Sequence, residues 1–437
     1  MNMTLLIAKK RDGGELSSAE VEFVVGAYTE GLIPDSQMAA LLMAIVWRGM
    51  SDRELLVWCN EMLGSGISMD LSSIKGPKVD KHSTGGVGDK CSLICAPVAA
   101  ACGVYVPMMA GRSLGHTGGT IDKLESIPGF SADLSPAEFK KTVRRCGMSI
   151  ISQTGKMAPA DGRIYALRDH TATIESIPLI AASIMSKKLA EGISALVMDI
   201  KVGLGAFMKD AASAAKLAGR MEAIGKAAGC AVDTLLTRMD QPLGAHVGNS
   251  LEVVESIEIL KGKVWNDCAG LSLELAARMI VAGGIERHMA RARKVAEGAL
   301  KSGAALKVFR AFVDAQGGDP RVVDDYSIFP SSGRTISMYA ASTGWVNAVD
   351  AMDVGLAALA LRGGRRKFDS RVDHGAGIVL HRKVGDRVVL GEPLCTFHFD
   401  NRKGIAETIR WTTERLCEAY VIGGRRAVPQ QLVMGRR

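Results

Sequence analysis

Residues 79–103 read VDKHSTGGVGDKCSLICAPVAAACG, in which a short apolar start leads into a glycine cluster and then into a longer apolar stretch. A buried strand, a glycine-rich turn and a helix would follow one another in this order. The pattern recurs at residues 105–119, YVPMMAGRSLGHTGG, and the β-branched run ALVMDIKVG at 195–203 predicts another buried strand. This alternation predicts a mostly parallel sheet with helices packed on it.

Helical signals flank this α/β region. Two S-x-x-E capping boxes, at residues 17–20 and 51–54, and the apolar-periodic stretch QMAALLMAIVW predict helices near the amino terminus. A second helical stretch runs roughly over residues 176–192, with Pro178 near its start and Gly192 at its end. Its apolar residues suit packing against the first helices, so we expect one small helical domain assembled from two segments.

The last hundred residues change character again. The segment GIVLHRKVGDRVVLGEPLCTFH at 377–398 predicts strands joined by Gly-Asp and Leu-Gly-Glu turns. It resembles the half-barrels of biotinyl and lipoyl carriers, but no exposed Met-Lys-Met hairpin follows, which favours a structural role. We therefore predict a separate C-terminal α+β lobe.

The predicted fold class is α/β: a small all-helical domain, a large α/β domain whose sheet is mixed but mostly parallel, and a C-terminal α+β lobe. The predicted boundaries are 1–66 and 158–192 for the two parts of the helical domain, 67–157 and 193–334 for the two parts of the α/β domain, and 335–437 for the lobe.

Composition narrows the classes of partner. The net charge is +8 and the pI about 9.0, but the basic residues are dispersed and aromatic residues make up only 5%, so we expect a small anionic substrate and no nucleic acid. Nine cysteines without regular spacing indicate a reducing, cytoplasmic compartment. No apolar run approaches the roughly 20 residues of a membrane helix, and no signal peptide is recognisable, so we expect no membrane association.

The first glycine cluster has the chemistry of an anion site. Backbone N–H groups of a glycine-rich turn can converge on an anion, and the amino terminus of the following helix adds partial positive charge. Lys81, Ser83 and Ser92 would supply side-chain donors. A tight strand-to-helix turn without a ligand is the alternative interpretation. A P-loop is excluded because GGVGDK lacks the required spacing.

The second glycine cluster, at residues 111–120, predicts the opposite wall of the same anion site, since it also follows a candidate strand. Thr120 would present a hydroxyl there. A local salt-bridge network formed by Arg112, Asp122 and Lys123 is an equally good interpretation of the charged residues. The basic cluster RGGRRK at 362–367 is expected to be solvated surface.

These segments resemble the signature of a known family. KHSTGGVGDK at 81–90 and GHTGGTIDKLESIPGF at 115–130 are similar to the thymidine and pyrimidine nucleoside phosphorylases. The resemblance covers nearly the whole chain in the family's order. Its further motifs are SQTGKMAPADGRIYALRDHTATIESIPLIAASIMSKKLAEG at 152–192, KVGLGAFM at 201–208, QPLGAHVGNSLEV at 241–253 and GIVLHRKVGDRV at 377–388.

The resemblance implies a pentosyltransferase that cleaves pyrimidine nucleosides with phosphate in a cleft between the helical and α/β domains. It implies a homodimer formed through the helical domain. Inorganic phosphate would be a co-substrate, with no cofactor and no required metal. By family pattern the phosphate ligands would be Lys81, Ser83, Ser92 and Thr120. The pyrimidine ligands would be His82, Arg168, Ser183 and Lys187, of which His82, Arg168 and Lys187 would be catalytic.

Ser183 and Lys187 are four residues apart, so a helix would place both on one face, as shared contact with one base requires. Arg168 and Lys187 would stabilise negative charge on the departing base, and His82 would donate a hydrogen bond or a proton to it. Without the resemblance, simpler interpretations hold: Arg168 pairs with Asp169, Lys187 shares a solvated helix face with Lys188, and His82 is structural.

Four positions bear on function within the family. Ala110 stands where a phosphate-binding serine is usual, and Ser113 replaces a glycine, so Ser113 is a candidate to compensate. Met108 stands where broad-specificity relatives often carry lysine, which favours 2′-deoxyribonucleosides. Lys90 lies beside the loop where those relatives bind a monovalent cation, and its ammonium group is a candidate to replace that ion.

Three alternatives stay open. A broad-specificity enzyme that also accepts uridine fits several motifs, including QPLGAHVGN. A phosphoribosyltransferase of similar architecture would need diphosphate and magnesium ligands that we cannot place. A non-catalytic nucleoside-binding protein is disfavoured because His82, Arg168, Ser183 and Lys187 are all present together.

Overall fold

The computed structural model describes residues 1–113, 115–153, 157–365 and 370–436. The helices are α1 (Met3–Arg11), α2 (Ser18–Thr29), α3 (Asp35–Arg48), α4 (Asp52–Gly64), α5 (Cys91–Ala101), α6 (Thr120–Leu124), α7 (Pro136–Cys146), α8 (Pro159–His170), α9 (Ile177–Ala190), α10 (Ala211–Ala227), α11 (Asn249–Leu260), α12 (Asp267–Ala282), α13 (Met289–Lys301), α14 (Ala304–Ala315), α15 (Ala351–Ala360) and α16 (Ile405–Ala419), with short 3-10 turns at Pro320–Val323 and Tyr326–Ile328. The strands are β1 (Val79–Ser83), β2 (Val106–Ala110), β3 (Met148–Ser152), β4 (Ala195–Val202), β5 (Ala231–Arg238), β6 (His246–Val247), β7 (Arg334–Tyr339), β8 (Gly344–Val349), β9 (Gly377–Leu380), β10 (Arg387–Val388), β11 (Pro393–Phe399), β12 (Tyr420–Gly423) and β13 (Val433–Arg436).

The helical domain is assembled from two segments of the chain, as predicted. Both capping boxes are present. The side chains of Ser17 and Ser51 each accept a hydrogen bond from the backbone amide of the glutamate three residues later, and the side chain of that glutamate accepts one from the backbone amide of the serine. Helices α1 to α4 share a core with α8 and α9, and this core continues onto one face of β4 and onto α10. The helical domain therefore rests directly on the central sheet.

The central sheet has the order β1-β4-β5-β13. Strands β1, β4 and β5 are parallel, and β13 adds antiparallel to β5, which confirms a mixed, mostly parallel sheet. Every residue of β4 is buried, as its continuous apolar run predicts. Parallel β2 and β3 extend this layer through a bridge between Lys78 and Tyr105. The carboxyl ends of β1 and β2 thus carry the two glycine clusters to the same edge.

The C-terminal lobe contains two antiparallel sheets, β6-β9-β11-β7 and β10-β8-β12, together with α15 and α16. The predicted C-terminal lobe is present, but two strand pairings join it to the rest of the chain. Strand β6 from the middle of the chain pairs with β9 of the lobe, and β13 of the lobe pairs with β5 of the central sheet. One continuous apolar core runs through both parts. The lobe and the α/β domain are interleaved.

In the described part of the chain, no helix combines the length and the apolar character needed to cross a membrane. Cys91 and Cys95 are fully buried in α5, which suits their interpretation as small apolar core residues.

Candidate active site

Lys81 is the buried cation at the end of β1. Its side chain is 1% exposed, and its Nζ donates to Ser92 Oγ at 3.4 Å and lies 3.9 Å from Asp89 Oδ1. Burial alone would lower the pKa of Lys81, but the negative charge of Asp89 raises it above its ordinary value. Lys201 on β4 lies 3.8 Å from the other oxygen of Asp89. Two ammonium groups therefore flank one carboxylate at the end of the first glycine loop.

The two glycine loops adjoin each other. A Cβ atom at Gly85 would lie 3.7 Å from Thr117 Cγ2. Lys123 of α6 donates to the carbonyl oxygen of Asp89 at 2.6 Å and pairs with Glu252 at 2.8 Å. Thr120 is the first residue of α6, so it lies at the amino-terminal end of the helix that contains Lys123. The structure brings the segments of all four predicted phosphate ligands to one edge of the sheet.

Asp122 organises the second glycine loop. The amide and the hydroxyl of Ser113 both donate to Asp122 Oδ2, at 2.6 and 2.7 Å. The guanidinium of Arg365 donates to Asp122 Oδ1 at 2.7 and 2.9 Å, and Arg112 pairs with Glu125. Arg112 also lies 3.6 Å from Asp122, as the salt-bridge interpretation predicts, but Lys123 pairs with Glu252 instead. Because the Ser113 hydroxyl is committed to Asp122, it does not replace the serine missing at Ala110.

Arg365 also corrects the interpretation of the basic cluster at 362–367 as solvated surface. Its side chain is only 14% exposed, and it donates to the carbonyl oxygen of Ser370 at 2.7 Å as well as to Asp122. It thereby joins the C-terminal lobe to the second glycine loop. Arg366 and Lys367 lie outside the described residues.

Lys187 and Ser183 lie on one face of α9, as their spacing predicts. The Nζ of Lys187 donates to Ser183 Oγ at 2.9 Å and to Asp161 Oδ2 at 2.5 Å. Asp161 is in the first turn of α8 and is almost fully buried. The alternative of a solvated face shared with Lys188 is wrong, because the Lys187 side chain is 19% exposed and Lys188 is buried elsewhere.

Arg168 is buried near the end of α8. Its Nε, Nη1 and Nη2 donate to the carbonyl oxygens of Thr173, Leu179 and Ile174, at 3.1, 3.1 and 2.6 Å. These acceptors replace the pairing with Asp169 that the sequence suggested. Burial lowers the pKa of Arg168 to about 10, so the guanidinium stays charged at neutral pH. It carries more N–H donors than these contacts use, which leaves donors for a ligand.

His82 is close enough to Lys188, Lys187 and Lys81 for their charges to act on it. It is half-buried on β1, next to Lys81. Burial, and then the positive charges of Lys188, Lys187 and Lys81, lower its pKa well below the ordinary value for histidine. The imidazole is therefore neutral near pH 7. It can donate one hydrogen bond from its N–H, but it is a poor source of a proton.

A buried charge cluster ties α9 to the sheet. Lys188 Nζ donates at 2.6 Å to each of Asp80 Oδ2, Glu191 Oε1 and the carbonyl oxygen of Met109. The amide of Met109 donates to Glu191 at 2.8 Å. Burial, with the nearby charge of Asp80, raises the pKa of Glu191 well above its ordinary value. Together these contacts anchor the carboxyl end of α9 to the sheet.

Two residues of this region were missed in the sequence. Asp161 holds Lys187, and the ring of Tyr165 lies 5.8 Å from both Arg168 and Lys187. Asp161, Tyr165 and Arg168 have the i, i+4, i+7 spacing of one helix face. An acid, an aromatic residue and an arginine at that spacing are the signal that would have found them.

Comparisons with known proteins agree with this architecture. Three family models match successive segments: the helical bundle domain of the glycosyl transferase family at 4–66, its a/b domain at 75–306, and the pyrimidine nucleoside phosphorylase C-terminal domain at 345–415. Among solved structures, anthranilate phosphoribosyltransferase (TrpD) from Thermus thermophilus aligns with a TM-score of 0.58 at 18% identity, over 71% of this chain and 98% of that one. That likeness shows a shared fold.

Two curated relatives match almost end to end. The pyrimidine-nucleoside phosphorylase of Geobacillus stearothermophilus is 47% identical over 405 residues, 93% of each chain. The thymidine phosphorylase of Mycobacterium tuberculosis is 49% identical over 393 residues, 90% of this chain and 89% of that one. The chain therefore belongs to the thymidine phosphorylase and pyrimidine-nucleoside phosphorylase family of glycosyl transferases, and it is a pentosyltransferase.

Proposed function

We propose that the chain catalyses the reversible phosphorolysis of thymidine and deoxyuridine, giving the free pyrimidine and 2-deoxy-α-D-ribose 1-phosphate. The observation that carries this proposal is that buried or half-buried cations stand on both the α/β side and the helical side of the candidate site. Lys81 lies with Ser92 on the α/β side, while Arg168 and Lys187 lie on the helical side. The proposal is further supported by relatives named for the phosphorolysis of pyrimidine nucleosides.

In the proposed reaction a phosphate oxygen forms a bond to C1′ of the sugar while the bond from C1′ to the pyrimidine nitrogen breaks. The bonding electrons leave with the base, so the sugar gains cationic character and the pyrimidine becomes negative. Arg168 and Lys187 would stabilise that negative charge. A preorganised donor of this kind contributes about 3 kcal/mol to lowering a barrier.

His82 would act as a hydrogen-bond donor in this scheme. Its lowered pKa argues against transfer of a full proton, so the base would leave as an anion held by the two cations and by the imidazole N–H. On the other side, Lys81, Ser83, Ser92 and Thr120 would bind phosphate. Closure of the cleft would exclude water, which otherwise competes with phosphate for C1′.

The preference for deoxynucleosides rests on Met108. This residue is buried on β2 and its thioether offers no donor to a ribose 2′-hydroxyl. The chain is similarly identical, at 47% and 49%, to a relative named pyrimidine-nucleoside phosphorylase and to one named thymidine phosphorylase. We therefore base the proposed preference on the side chain of Met108. Uridine should be cleaved about tenfold to a hundredfold less efficiently than thymidine.

The test follows release of free base from thymidine, deoxyuridine and uridine, with and without phosphate. We expect release only with phosphate, in equal amounts with the pentose 1-phosphate. Release without phosphate would indicate a hydrolase, and absence of release with all three nucleosides would favour a binding protein. Uridine cleaved as efficiently as thymidine would contradict the argument from Met108. Activity that survives EDTA would support the proposal that no metal is required.

We also propose a homodimer in the cytoplasm. In the helical domain Trp47 is 81% exposed and Leu32 is 72% exposed, and a dimer contact would remove the apolar surface of both from water. Light scattering after size-exclusion chromatography should give twice the chain mass of 46.3 kDa. Trp47→Lys should shift the protein toward the monomer.

A further inference from the structure

Lys90 is a buried ammonium group inside a cage of oxygen atoms. Its side chain has no exposed surface, and its Nζ lies 2.9 Å from the carbonyl oxygen of Leu243, 3.0 Å from that of His246 and 2.7 Å from Glu255 Oε2. Carbonyl and carboxylate oxygens at such distances are also the ligands that a bare monovalent cation takes in proteins. The cage is therefore chemically suited to one positive charge.

The cage is held rigidly by groups that surround its carboxylate. The amides of Ala245 and His246 donate to the two oxygens of Glu255 at 2.8 and 2.9 Å, and Asn266 Nδ2 donates to Oε1 at 2.7 Å. Burial alone would raise the pKa of Glu255, but Lys90 and then His246 lower it far below the ordinary value. The carboxylate is fixed in place and charged.

The loop at 242–246 closes tightly over Lys90. Gly244 has φ +72°, and a Cβ atom there would lie 2.7 Å from Lys90 Nζ. Lys383 of the C-terminal lobe donates to the carbonyl oxygens of Pro242 and Gly244 at 2.8 and 3.0 Å, and it also pairs with Asp267. Lys90 of the α/β domain and Lys383 of the C-terminal lobe thus both donate hydrogen bonds to the loop at 242–246.

Lys90 also terminates the first glycine loop. It is the residue before α5 and directly follows Asp89, the carboxylate that flanks Lys81. Its amide donates to the carbonyl oxygen of Gly88 at 2.9 Å, and a Cβ atom at Gly88 would lie 2.4 Å from the carbonyl oxygen of Leu243. The cage therefore connects the candidate phosphate loop to the loop at 242–246.

The monovalent cation implied by the resemblance does not fit beside Lys90. An added ion that used the same oxygens would lie within a few ångströms of the ammonium, with one carboxylate to balance two positive charges in a buried position. We propose that Lys90 is a built-in replacement for a monovalent cation, and that it locks the first glycine loop to the loop at 242–246 without any added ion.

The test compares ions at equal ionic strength, with thermal unfolding as the main measurement. The wild-type midpoint should be the same, within about 1 °C, in potassium, ammonium and tetramethylammonium chloride, because its cage is already filled. Lys90→Ala should lower the midpoint in tetramethylammonium by about 3–5 °C, because it leaves a buried carboxylate unpaired. Potassium or ammonium should restore much of this loss, since these ions are small enough to enter the cavity.

Lys90→Met is the matched control, because it fills the cage with an uncharged chain of similar length. It should be destabilised in every salt and restored by none. Wild-type protein that is selectively stabilised by potassium would overturn the proposal. So would a folded Lys90→Ala variant that is indifferent to the ion. If Lys90→Ala does not fold in any salt, the wild-type comparison decides.

The effect on the phosphate loop rests on the proposed function and is measured separately. The KM for phosphate of Lys90→Ala should fall at least fivefold when potassium replaces tetramethylammonium, while that of Lys90→Met should not change. This fivefold change is about 1 kcal/mol in binding at 1.4 kcal/mol per factor of ten. Absence of phosphorolysis in the wild type would refute the proposed function, whereas the unfolding measurements would still test the cage.

Discussion

The two sides of the candidate site hold their cations in different ways. On the α/β side, Lys81 and Lys201 are matched by the carboxylates of Asp89 and Asp199. On the helical side, Lys187 is paired with the carboxylate of Asp161, but the guanidinium of Arg168 is held by carbonyl oxygens. Carbonyl dipoles orient a cation without cancelling its charge, whereas carboxylates neutralise it. Arg168 thus keeps its full charge for an anion that develops during the reaction, whereas the lysines on both sides share theirs with carboxylates.

The largest effect should come from Arg168→Ala. Loss of a donor that acts on the developing negative charge should lower kcat by about 10²- to 10³-fold, with little change in the KM for phosphate. Arg168→Lys should recover only part of kcat, because an ammonium cannot reach all three carbonyl oxygens. Steady-state kinetics with both substrates varied would check this. A parallel loss of phosphate affinity would show that the two sides are not separate.

Lys81→Met tests the α/β side. Because it removes a donor to phosphate, the KM for phosphate should rise by about tenfold to a hundredfold. It also removes one of the two cations that flank the buried carboxylate of Asp89, so the free energy of unfolding should fall by less than the roughly 3 kcal/mol expected for a fully unpaired buried charge. The double variant Lys81→Met/Asp89→Asn should regain stability but not phosphate affinity. Recovery of both in the double variant would mean that Lys81 only neutralises Asp89.

Asp161→Asn should have an intermediate effect on the helical side. It keeps the size of the side chain but removes a charged hydrogen bond to Lys187, worth about 1.5–3 kcal/mol, so kcat should fall about tenfold to a hundredfold. Asp169→Asn is the matched control, because Asp169 is exposed and lies beside Arg168 without holding it. Equal losses in the two variants would argue for a general charge effect instead of positioning.

The smallest effect concerns His82 and pH. Its folded-state pKa lies below the unfolded value near 6.5, so the unfolded chain binds the proton preferentially as the pH falls from that value toward the folded pKa. Stability should therefore decline through this window and be unaffected by His82 above it. The decline should be shallower in His82→Gln. The wild-type kcat/KM should show no inflection near pH 6.5 that disappears in His82→Gln, and one that does disappear would mean that His82 titrates normally in the site.

Local features of the fold were predictable from the sequence, because they depend on neighbouring residues. The capping boxes at Ser17 and Ser51, and the shared helix face of Ser183 and Lys187, follow from spacing alone. The contact between Asp161 and Lys187 was not predictable, because it depends on how α8 packs against α9. The hydrogen bonds of Arg168 were not predictable either, because they go to backbone carbonyl oxygens, whose positions do not follow from the pattern of side chains.

The interleaving of the lobe was hidden for a similar reason. Strand β6 has only two residues, and β13 pairs with a strand roughly 200 positions earlier, so neither carries a periodic signal of its partner. Roles of individual site residues depended on the family resemblance. Glycine loops of this kind predict an anion, but nothing in their spacing specifies which one.

The anchoring of Lys188 has a mechanical consequence for α9. Lys188 fixes the carboxyl end of α9 to Asp80 and Met109. The helix extends about 17 Å from Lys188 back to Ile177, at 1.5 Å per residue. A rotation of about 10° around this fixed end would displace the far end by ~3 Å but would hardly move Lys187. The carbonyl oxygen of Leu179, which accepts a hydrogen bond from Arg168, lies near that far end. Such a rotation of α9 would therefore move Arg168 while Lys187 stays nearly in place.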